Sequence, residues 1–493
     1  MIPNISKLQA LLESVAPRWD VPGAIVSVIG REDVLFQGTY GVKSLAAGGV
    51  IDEDTVFQVG SITKSFTSAA AAILSDRGLL PLNKPIRDFV PEFALRDAMA
   101  TERITISDFL SQNSGLPSHN LFWHGSYLNR QGFLARLRHL EPRWDMRTHW
   151  HYQNLNFMVA GALMERVSGR TWEALVQDEL FTPLGLSGSS IGKAGYLAAP
   201  NRTVPHQPTA DGGMRQNPPL DVVACAPAGA INMSHRDLNT WTRFHLNGGV
   251  HAGREIISKA AMAAIHTPRS VEANMLPLQF AEAPYSLYGL AWVIAPYRGL
   301  NLHYDGGNVE GFSGISVILP DEGIGITMQV NMHEANIFMF NLLYSMLDLL
   351  FFDDEKDWDG ILHAAVADYM KAAGRDAADK AQSLEAGRTL ADARPAAEYL
   401  GSYTHPGYGT LAVETHPEGI AIRFNDNPAL LKENQTGVFP LAHYAGDRFT
   451  TRLASLGSAF TVVAEFGRDA AGNVTGLSVP FEPMVSAIVF ERQ

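Results

Sequence analysis

Two hairpin patterns, one near the start of the chain and one beyond residue 310, constrain the fold of this 493-residue sequence more than any other feature. Ala24 to Ile29 and Val34 to Gln37 flank the polar turn Gly30-Arg31-Glu32-Asp33. Gly314 to Leu319 and Ile324 to Val330 flank Pro320-Asp321-Glu322-Gly323 in the same way. Each is a pair of β-type runs around turn formers, the signature of antiparallel strands. Between them, apolar periodicity predicts helices over Ile62 to Asp76, closed by Gly78, over Leu155 to Val167, closed by Gly169, and over Trp172 to Leu180, before Pro183. A further helix, Ile337 to Phe352, follows the second hairpin and is expected to pack on a sheet. Strands from both ends can therefore share one antiparallel sheet flanked by helices, which makes the fold class α+β.

The pattern changes after residue 353. Asp354 to Ala393 is rich in Ala, Asp, Arg and Lys, with an amphipathic helix expected over Leu362 to Ala372 and a solvated stretch up to Pro395. Short β-type runs follow, at Thr410 to Val413, Ile420 to Phe424, Phe449 to Arg452, Ala459 to Phe466 and Val485 to Phe490, separated by Gly, Asn and Asp turns. They predict a small all-β barrel or sandwich. The length exceeds what one core usually organises, so the expected division is a first domain over 1–353, a linker with a helix over 354–394 and a β domain over 395–493.

Charge and composition narrow the function. A net charge of -13, with no cluster of Lys and Arg, argues against a nucleic-acid or anionic-membrane partner. The stretch Ile337 to Phe352 carries Asn341 and Asp348 and is too short and polar to span a bilayer. The single cysteine, Cys225, has no intrachain partner, and no secretory leader pattern opens the sequence, so the expected location is the cytoplasm. The histidines His149 and His151, with His119, His124 and His139 nearby, lack a zinc-site spacing or a carboxylate companion; neither a metal nor a cofactor is expected. The aromatics Phe122, Trp123, Tyr127, Trp144 and Trp150 are candidates to line a cleft, with core packing as the alternative.

The sharpest chemical signal is Gly60-Ser61-Ile62-Thr63-Lys64, between the β-type run Val56 to Val59 and a periodic helix. A serine at a helix N-terminus has its hydroxyl beside unpaired N–H groups and the positive end of the dipole, where an oxyanion would be stabilised. Lys64, three residues on, shares its helix face, and a lysine kept neutral by desolvation would take the serine proton. The same residues also describe an ordinary helix N-cap. Ser190-Ile191-Gly192-Lys193 repeats the spacing, but in a Gly- and Ser-rich loop with no periodic helix expected after it. His151-Tyr152-Gln153-Asn154, just before the Leu155 to Val167 helix, favours catalysis at Ser61: a tyrosine there would relay a proton, and the Asn154 amide would hold the lysine and the substrate. Tyr127-Leu128-Asn129 competes for that role without a comparable helix behind it. A third element, His303-Tyr304-Asp305-Gly306-Gly307-Asn308-Val309-Glu310-Gly311-Phe312-Ser313, has glycines that let a substrate approach a strand closely.

These three blocks, in this order, resemble the serine β-lactamase and penicillin-binding-protein superfamily, in particular its class C-like branch of esterases, D-aminopeptidases and peptidases. Phe57-Gln58-Val59-Gly60, Leu110-Ser111-Gln112-Asn113-Ser114-Gly115-Leu116-Pro117, Pro183-Leu184-Gly185-Leu186 and Ala226-Pro227-Ala228-Gly229-Ala230-Ile231 add to the match. The resemblance implies an antiparallel sheet covered by helices, a mostly helical lobe and a site between them. It implies Ser61 as nucleophile, Lys64 as base, Tyr152 as a second acid/base with Asn154 beside it, and an oxyanion hole from the N–H groups of Ser61 and Asn308. His303, Asp305, Gly306 and Gly307 would border the substrate. One departure stands out, because the family's third motif opens with a cation where this sequence has Asp305. That change weighs against substrates held by a carboxylate; either His303 supplies the cation, or Asp305 selects a substrate bearing an amine.

Past the linker, Tyr399-Leu400-Gly401-Ser402-Tyr403, Pro406-Gly407-Tyr408-Gly409 and Phe481-Glu482-Pro483 resemble the lipocalin-like domain that follows many of these hydrolases and in some leans over the active-site mouth. The expected activity is hydrolysis of a small-molecule or peptide ester or amide through an acyl-enzyme. A peptide-cyclising thioesterase or acyltransferase using the same intermediate is the nearest alternative, and a non-catalytic sensor that captures an acyl ligand is the other.

Overall fold

Gly23–Ile29, Phe312–Leu319 and Ile324–Val330 are buried along their whole length, so the sheet they form has to be covered on both faces. Alternate residues sort to the two sides. Ala24, Val26 and Val28 join Ile315, Val317, Ile326 and Met328 in the main core, closed by the helices Leu8–Val15 and Asn336–Phe351. On the opposite face Ser27, Ser316, Thr327 and Gln329 form a buried polar layer against the helix His235–Leu246, where His235, Asn239 and Thr242 take their hydrogen bonds. Polar groups are tolerated there because each finds a partner.

The computed structural model describes residues 4–123, 128–209, 211–219, 225–272, 280–389, 394–424, 438–455 and 458–493. The chain packs as two compact units. The first comprises Met1–Lys84, Thr105–Gln112 and Ala160–Tyr369. Its eight-stranded antiparallel sheet runs in the order Ser270–Glu272, Ser286–Tyr288, Val293–Tyr297, Leu300–Val309, Phe312–Leu319, Ile324–Val330, Gly23–Ile29, Val34–Gly41. Strands from both ends do share it: Ala24 lies opposite Val330 on one side and Tyr40 on the other.

The second unit comprises Pro85–Ile104, Asn113–Val159 and Met370–Gln493. Its last part is a closed barrel of eight antiparallel strands from Gly401–His405 to Ile488–Arg492, joined where Tyr403 lies opposite Arg492. Tyr399, Tyr403, Phe449 and Phe466 pack ring against ring in its interior. Within this unit the barrel holds His119: Tyr408 Oη and His119 Nδ1 are 2.7 Å apart, and the Glu482 carboxylate accepts the His119 backbone N–H at 2.7 Å.

Four expectations change. The helix begun at Trp172 does not stop before Pro183 but continues through a π turn, Gln177–Phe181, to Leu184. Pro183 is the second residue of that last segment, directly after the π turn. The stretch after Ala372 is solvated but not irregular, because a single 29-residue helix runs Trp358–Ala386 with only Trp358 and Leu362 buried; its Ala-rich composition suffices for helix without burial. A helix, Gly192–Ala198, does follow the second Ser-x-x-Lys match. Ser190 is nonetheless a strand residue opposite Asn232, whose amide donates to its hydroxyl at 3.0 Å. Finally, the barrel includes Gly401–His405, Val438–Ala445 and Val474–Val479, which the β-type runs did not single out. No helix among the described residues is long and apolar enough to cross a membrane.

Candidate active site

Strand Val56–Gln58 delivers the chain into a tight 3-10 turn, Gly60–Ile62, that continues as the helix Thr63–Asp76. Ser61 therefore stands in the first turn of a long helical run, half-buried, among N–H groups that lack intrahelical acceptors. Lys64 is completely buried, at 0% exposure. Its Nζ lies 2.7 Å from Ser61 Oγ and donates to the Ala228 carbonyl at 2.9 Å. The segment Ala226–Ile231 matters for that reason, a role its sequence did not disclose. Besides the Ala228 acceptor, it offers the Pro227 carbonyl to Thr67 Oγ1 at 2.7 Å, and the Ile231 N–H donates to Thr63 Oγ1 at 3.0 Å. Strand Ile231–Ser234 then pairs with Val56–Gln58, Phe57 opposite Met233. Threonines 63 and 67 thus fasten the serine helix to the carbonyl that orients Lys64.

The strand Leu300–Val309 passes directly under this turn, and two glycines permit the approach. A Cβ on Gly307 would collide with the Val59 carbonyl and stand 2.9 Å from both Ser61 N and Ile62 N. A Cβ on Gly60, whose φ is 52°, would stand 2.6 Å from the Asn308 carbonyl oxygen and 2.9 Å from its nitrogen. The backbone of Gly307-Asn308 and the Ser61 nitrogen are consequently neighbours. The Asn308 side chain is turned away into a hydrogen-bonded chain, donating to Asn336 Oδ1 at 2.9 Å and accepting from Ser313 Oγ at 2.6 Å.

His303 and Asp305 share the face of the strand that carries Gly307. Because Gly307 abuts residues 59–62, Asp305 falls beneath the first turn of the serine helix, beside Ser65. It is 5% exposed, and its Oδ2 has no hydrogen-bond partner among the described residues. Burial pushes its carboxyl well above the usual carboxylate range, while the charge of Lys64 and the donors of Ser65 and Gly306 pull the other way. This placement differs from that of a group exposed to select a substrate amine. Nor does His303 supply the missing cation: burial brings it down to about 4, and its Nδ1 lies 3.1 Å from His266 Nδ1. His266 continues to His245, with His266 Nε2 and His245 Nδ1 3.0 Å apart. All three are held neutral, chiefly by burial.

These imidazoles give a pH prediction. His245 is lowered to about 3, His119, His235 and His303 to about 4, and His266 well below its usual value, all led by burial. A histidine with a depressed folded-state pKa binds protons more readily when unfolded, so its stabilising contribution is complete above about 6.5 and is lost as pH falls towards 4. The raised carboxyls of Asp237, Asp305 and Glu482 act in the opposite sense but are fewer. Melting temperature should begin to fall below about pH 6.5 and drop steeply by pH 4.5. Calorimetry showing a flat melting temperature over that window contradicts the assignment.

The second unit carries Tyr152 and Asn154, in an extended segment leading into the helix Leu155–Ser168. Both are half-buried, and Trp150 stands 6.3 Å from the Tyr152 ring, centroid to centroid. Gln153 is buried and donates to the Leu116 carbonyl at 2.5 Å. Of the aromatic candidates, Phe122 and Trp123 belong to the core, at 3% and 1% exposure, and Trp144 stacks on His149. His124 and Tyr127 lie outside the described residues, while Leu128 and Asn129 of the competing motif are described, and the Asn129 side chain accepts the Gly132 N–H at 2.8 Å at the start of the helix Arg130–Arg136. Among the described residues, no group of three or more His, Cys, Asp or Glu is arranged to hold a metal ion.

Comparison with known proteins identifies relatives of this fold. Residues 11–347 match the family model described as Beta-lactamase, and residues 386–492 match a domain of unknown function, DUF3471. An unguisins hydrolase of Aspergillus campestris is 25% identical over 501 residues, covering 96% of this chain and 89% of its own. Penicillin-binding protein 4 of Amycolatopsis lactamdurans is 26% identical over 348 residues, covering 69% of this chain and 88% of its own. Among solved structures, the octameric penicillin-binding protein homologue from Pyrococcus abyssi superposes with a TM-score of 0.62 at 20% identity, covering 99% of this chain and 100% of that one.

Proposed function

Because the chain belongs to the beta-lactamase family, we propose that it is a serine hydrolase that opens an ester or amide through an acyl-enzyme on Ser61. The observation that carries this reading is the 2.7 Å contact between Ser61 Oγ and the fully buried Lys64 Nζ. As Ser61 Oγ adds to the substrate carbonyl carbon, its proton passes to Lys64 in the amine form, and the carbonyl oxygen becomes an oxyanion between the N–H groups of Ser61 and Asn308. Collapse of the tetrahedral intermediate expels the alcohol or amine, which takes up a proton. Water then attacks the ester on Ser61 and frees the acid. Tyr152 and Asn154 are assigned to the second proton transfer and to polar support of Lys64 and the substrate, on the family resemblance. Gly307, whose Cβ position is taken by the Val59 carbonyl and the Ser61 and Ile62 nitrogens, lets the strand lie close against the serine turn.

Hydrolysis is preferred over acyl transfer because the relative aligned over 96% of this chain is named a hydrolase. The substrate class is a small molecule or peptide with an ester or amide bond. Wild type and Ser61→Ala, incubated with a fluorophosphonate and followed by intact mass, test the reading. One adduct per chain on the wild type alone is expected, together with turnover of activated esters or of D- or L-amino acid amides. An equal adduct on both proteins places the nucleophile elsewhere. A stable acyl adduct without product release makes the protein a sensor, and amide products formed when an amine is added make it a transferase.

A further inference from the structure

We propose that Tyr408 and Glu482 of the barrel are positioning residues for Tyr152, because they fasten the segment 116–119 to which both neighbours of Tyr152 are tied. The inference rests on the proton transfer assigned to Tyr152 above, and every group in it belongs to the second unit. His151 Nε2 lies 3.1 Å from Ser118 Oγ, and Gln153 Nε2 donates to the Leu116 carbonyl at 2.5 Å. The residues just before and just after Tyr152 are thus bonded to two positions of one short segment. Ser114 Oγ donates to Asn156 Oδ1 at 2.7 Å, which extends the same bracket past Asn154. Trp144 adds a ring contact to His151, with centroids 5.2 Å apart. Tyr152 has no regular secondary structure of its own, since the helix starts only at Leu155. The bracket is what frames it.

The segment ends at His119, and there the barrel takes hold. The Glu482 carboxylate accepts the His119 N–H at 2.7 Å, Tyr408 Oη stands 2.7 Å from His119 Nδ1, and His119 Nε2 lies 3.0 Å from the Glu141 carbonyl. A carbonyl only accepts, so Nε2 carries the proton, Nδ1 is the acceptor and the Tyr408 hydroxyl donates to it. Burial keeps the imidazole neutral, down to about 4, as this arrangement requires. The backbone of His119 is left-handed, with a φ of 43°, which is uncommon without glycine. Such a conformation persists only where its surroundings over-determine it. Its main-chain N–H and both ring nitrogens are engaged, two of the three by the barrel. His119, Tyr408 and Glu482 are 0%, 4% and 5% exposed, so water is badly placed to replace a lost partner.

A group that hands a proton to the leaving atom must be held within hydrogen-bond reach of it, so loosening the bracket has a leaving-group signature. A p-nitrophenyl ester and a fluorophosphonate carry leaving groups that depart without a proton, whereas a methyl ester does not. Tyr408→Phe keeps the ring and removes the hydroxyl. It should lower kcat/KM for a methyl ester about tenfold, a part of the 10²–10⁴ that a positioned acid supplies. For the p-nitrophenyl ester of the same acyl group, and for fluorophosphonate labelling, the change should stay within about threefold. Glu482→Ala should give the same split, and Glu482→Gln, whose amide oxygen still accepts the His119 N–H, should return the methyl ester rate towards wild type. In a Tyr152→Phe background Tyr408→Phe should cost nothing further. Equal losses on both esters, or a loss that multiplies with that of Tyr152→Phe, overturn the proposal.

A second measurement does not depend on catalysis. The Phe122 N–H donates to the His119 carbonyl, and the Phe157 and Met158 N–H groups donate to the Asn154 carbonyl. Hydrogen exchange at all three amides should quicken about tenfold in Tyr408→Phe, while strand Gly23–Ile29, in the other unit, exchanges as in the wild type. Faster exchange at Phe122 alone means that the hold stops at His119, and it overturns the proposal, as does faster exchange throughout the chain. Unchanged exchange at all three amides overturns it even if Ser61 proves to be the nucleophile. Joint quickening upholds the fastening even if Ser61 is not. If Glu482→Ala fails to fold, Tyr408→Phe, which keeps every ring contact, carries both measurements.

Discussion

Gly307→Ala should slow acylation of Ser61 by roughly 10²–10³-fold, the size of effect seen when one donor of an oxyanion site is lost, whereas Gly306→Ala should leave the rate within about threefold, as expected when no reacting or supporting atom has to shift. The two positions are adjacent and chemically identical. At Gly307 a Cβ would collide with the Val59 carbonyl and stand 2.9 Å from Ser61 N, all backbone atoms with no room to move. The strand then has to retreat from the serine, and the peptide of Asn308 retreats with it. At Gly306 the nearest atom to a new Cβ is the Gly314 carbonyl oxygen, 3.7 Å away, which is ordinary contact. The rate of fluorophosphonate labelling, read beside the circular dichroism spectrum of each variant, distinguishes them. Equal rates in both variants, with both folded, would mean that the strand does not form the anion site.

Lys64→Met should have an effect at least as large, about 10²–10⁴-fold on acylation, the range for removal of a positioned general base. Methionine follows the course of the lysine stem without the amine, so the cavity stays filled. What is lost is the group 2.7 Å from Ser61 Oγ, and the Ala228 carbonyl loses its donor. A buried carbonyl left without a partner costs about 1–3 kcal/mol, so the rates should be measured well below the melting temperature. Labelling with nucleophile-demanding esters should fall most. A variant that labels as fast as the wild type would remove Lys64 from the mechanism.

The features legible in the sequence were those encoded locally. Ser61 and Lys64 could be placed on one helix face because the spacing fixes it, and the helix Thr63–Asp76 ends two residues before Gly78, as its pattern implied. The shared sheet was legible because two hairpin signals needed a common core. The setting of Asp305 was not. Its neighbours come from a helix more than two hundred positions earlier in the numbering, and only the close approach of Gly307 to Ser61 decides that the carboxyl turns beneath that helix. The imidazole triad was hidden for the same reason, since His245, His266 and His303 come from a helix, the residue after another helix and a strand. Val438–Ala445 escaped notice because Pro440 and His443 interrupt its β-type run, although closure of the barrel accommodates both. Helix Trp358–Ala386 was cut short because periodicity marks burial, and most of that helix is helical without being buried.

The position of strand Gly23–Ile29, between Ile324–Val330 and Val34–Gly41, has a consequence for how the protein is made. Its early hairpin partner emerges from the ribosome almost at once, but its other neighbour does not exist until residue 330 has been added. At 5–20 residues per second, that wait is about 15–60 s. During it, a strand with every residue destined for the interior remains half-paired, and the serine helix has no strand Leu300–Val309 to rest on. The nascent chain thus spends most of its synthesis vulnerable to aggregation and without the strand beneath the serine helix, and both conditions end together when the last strands of the sheet arrive.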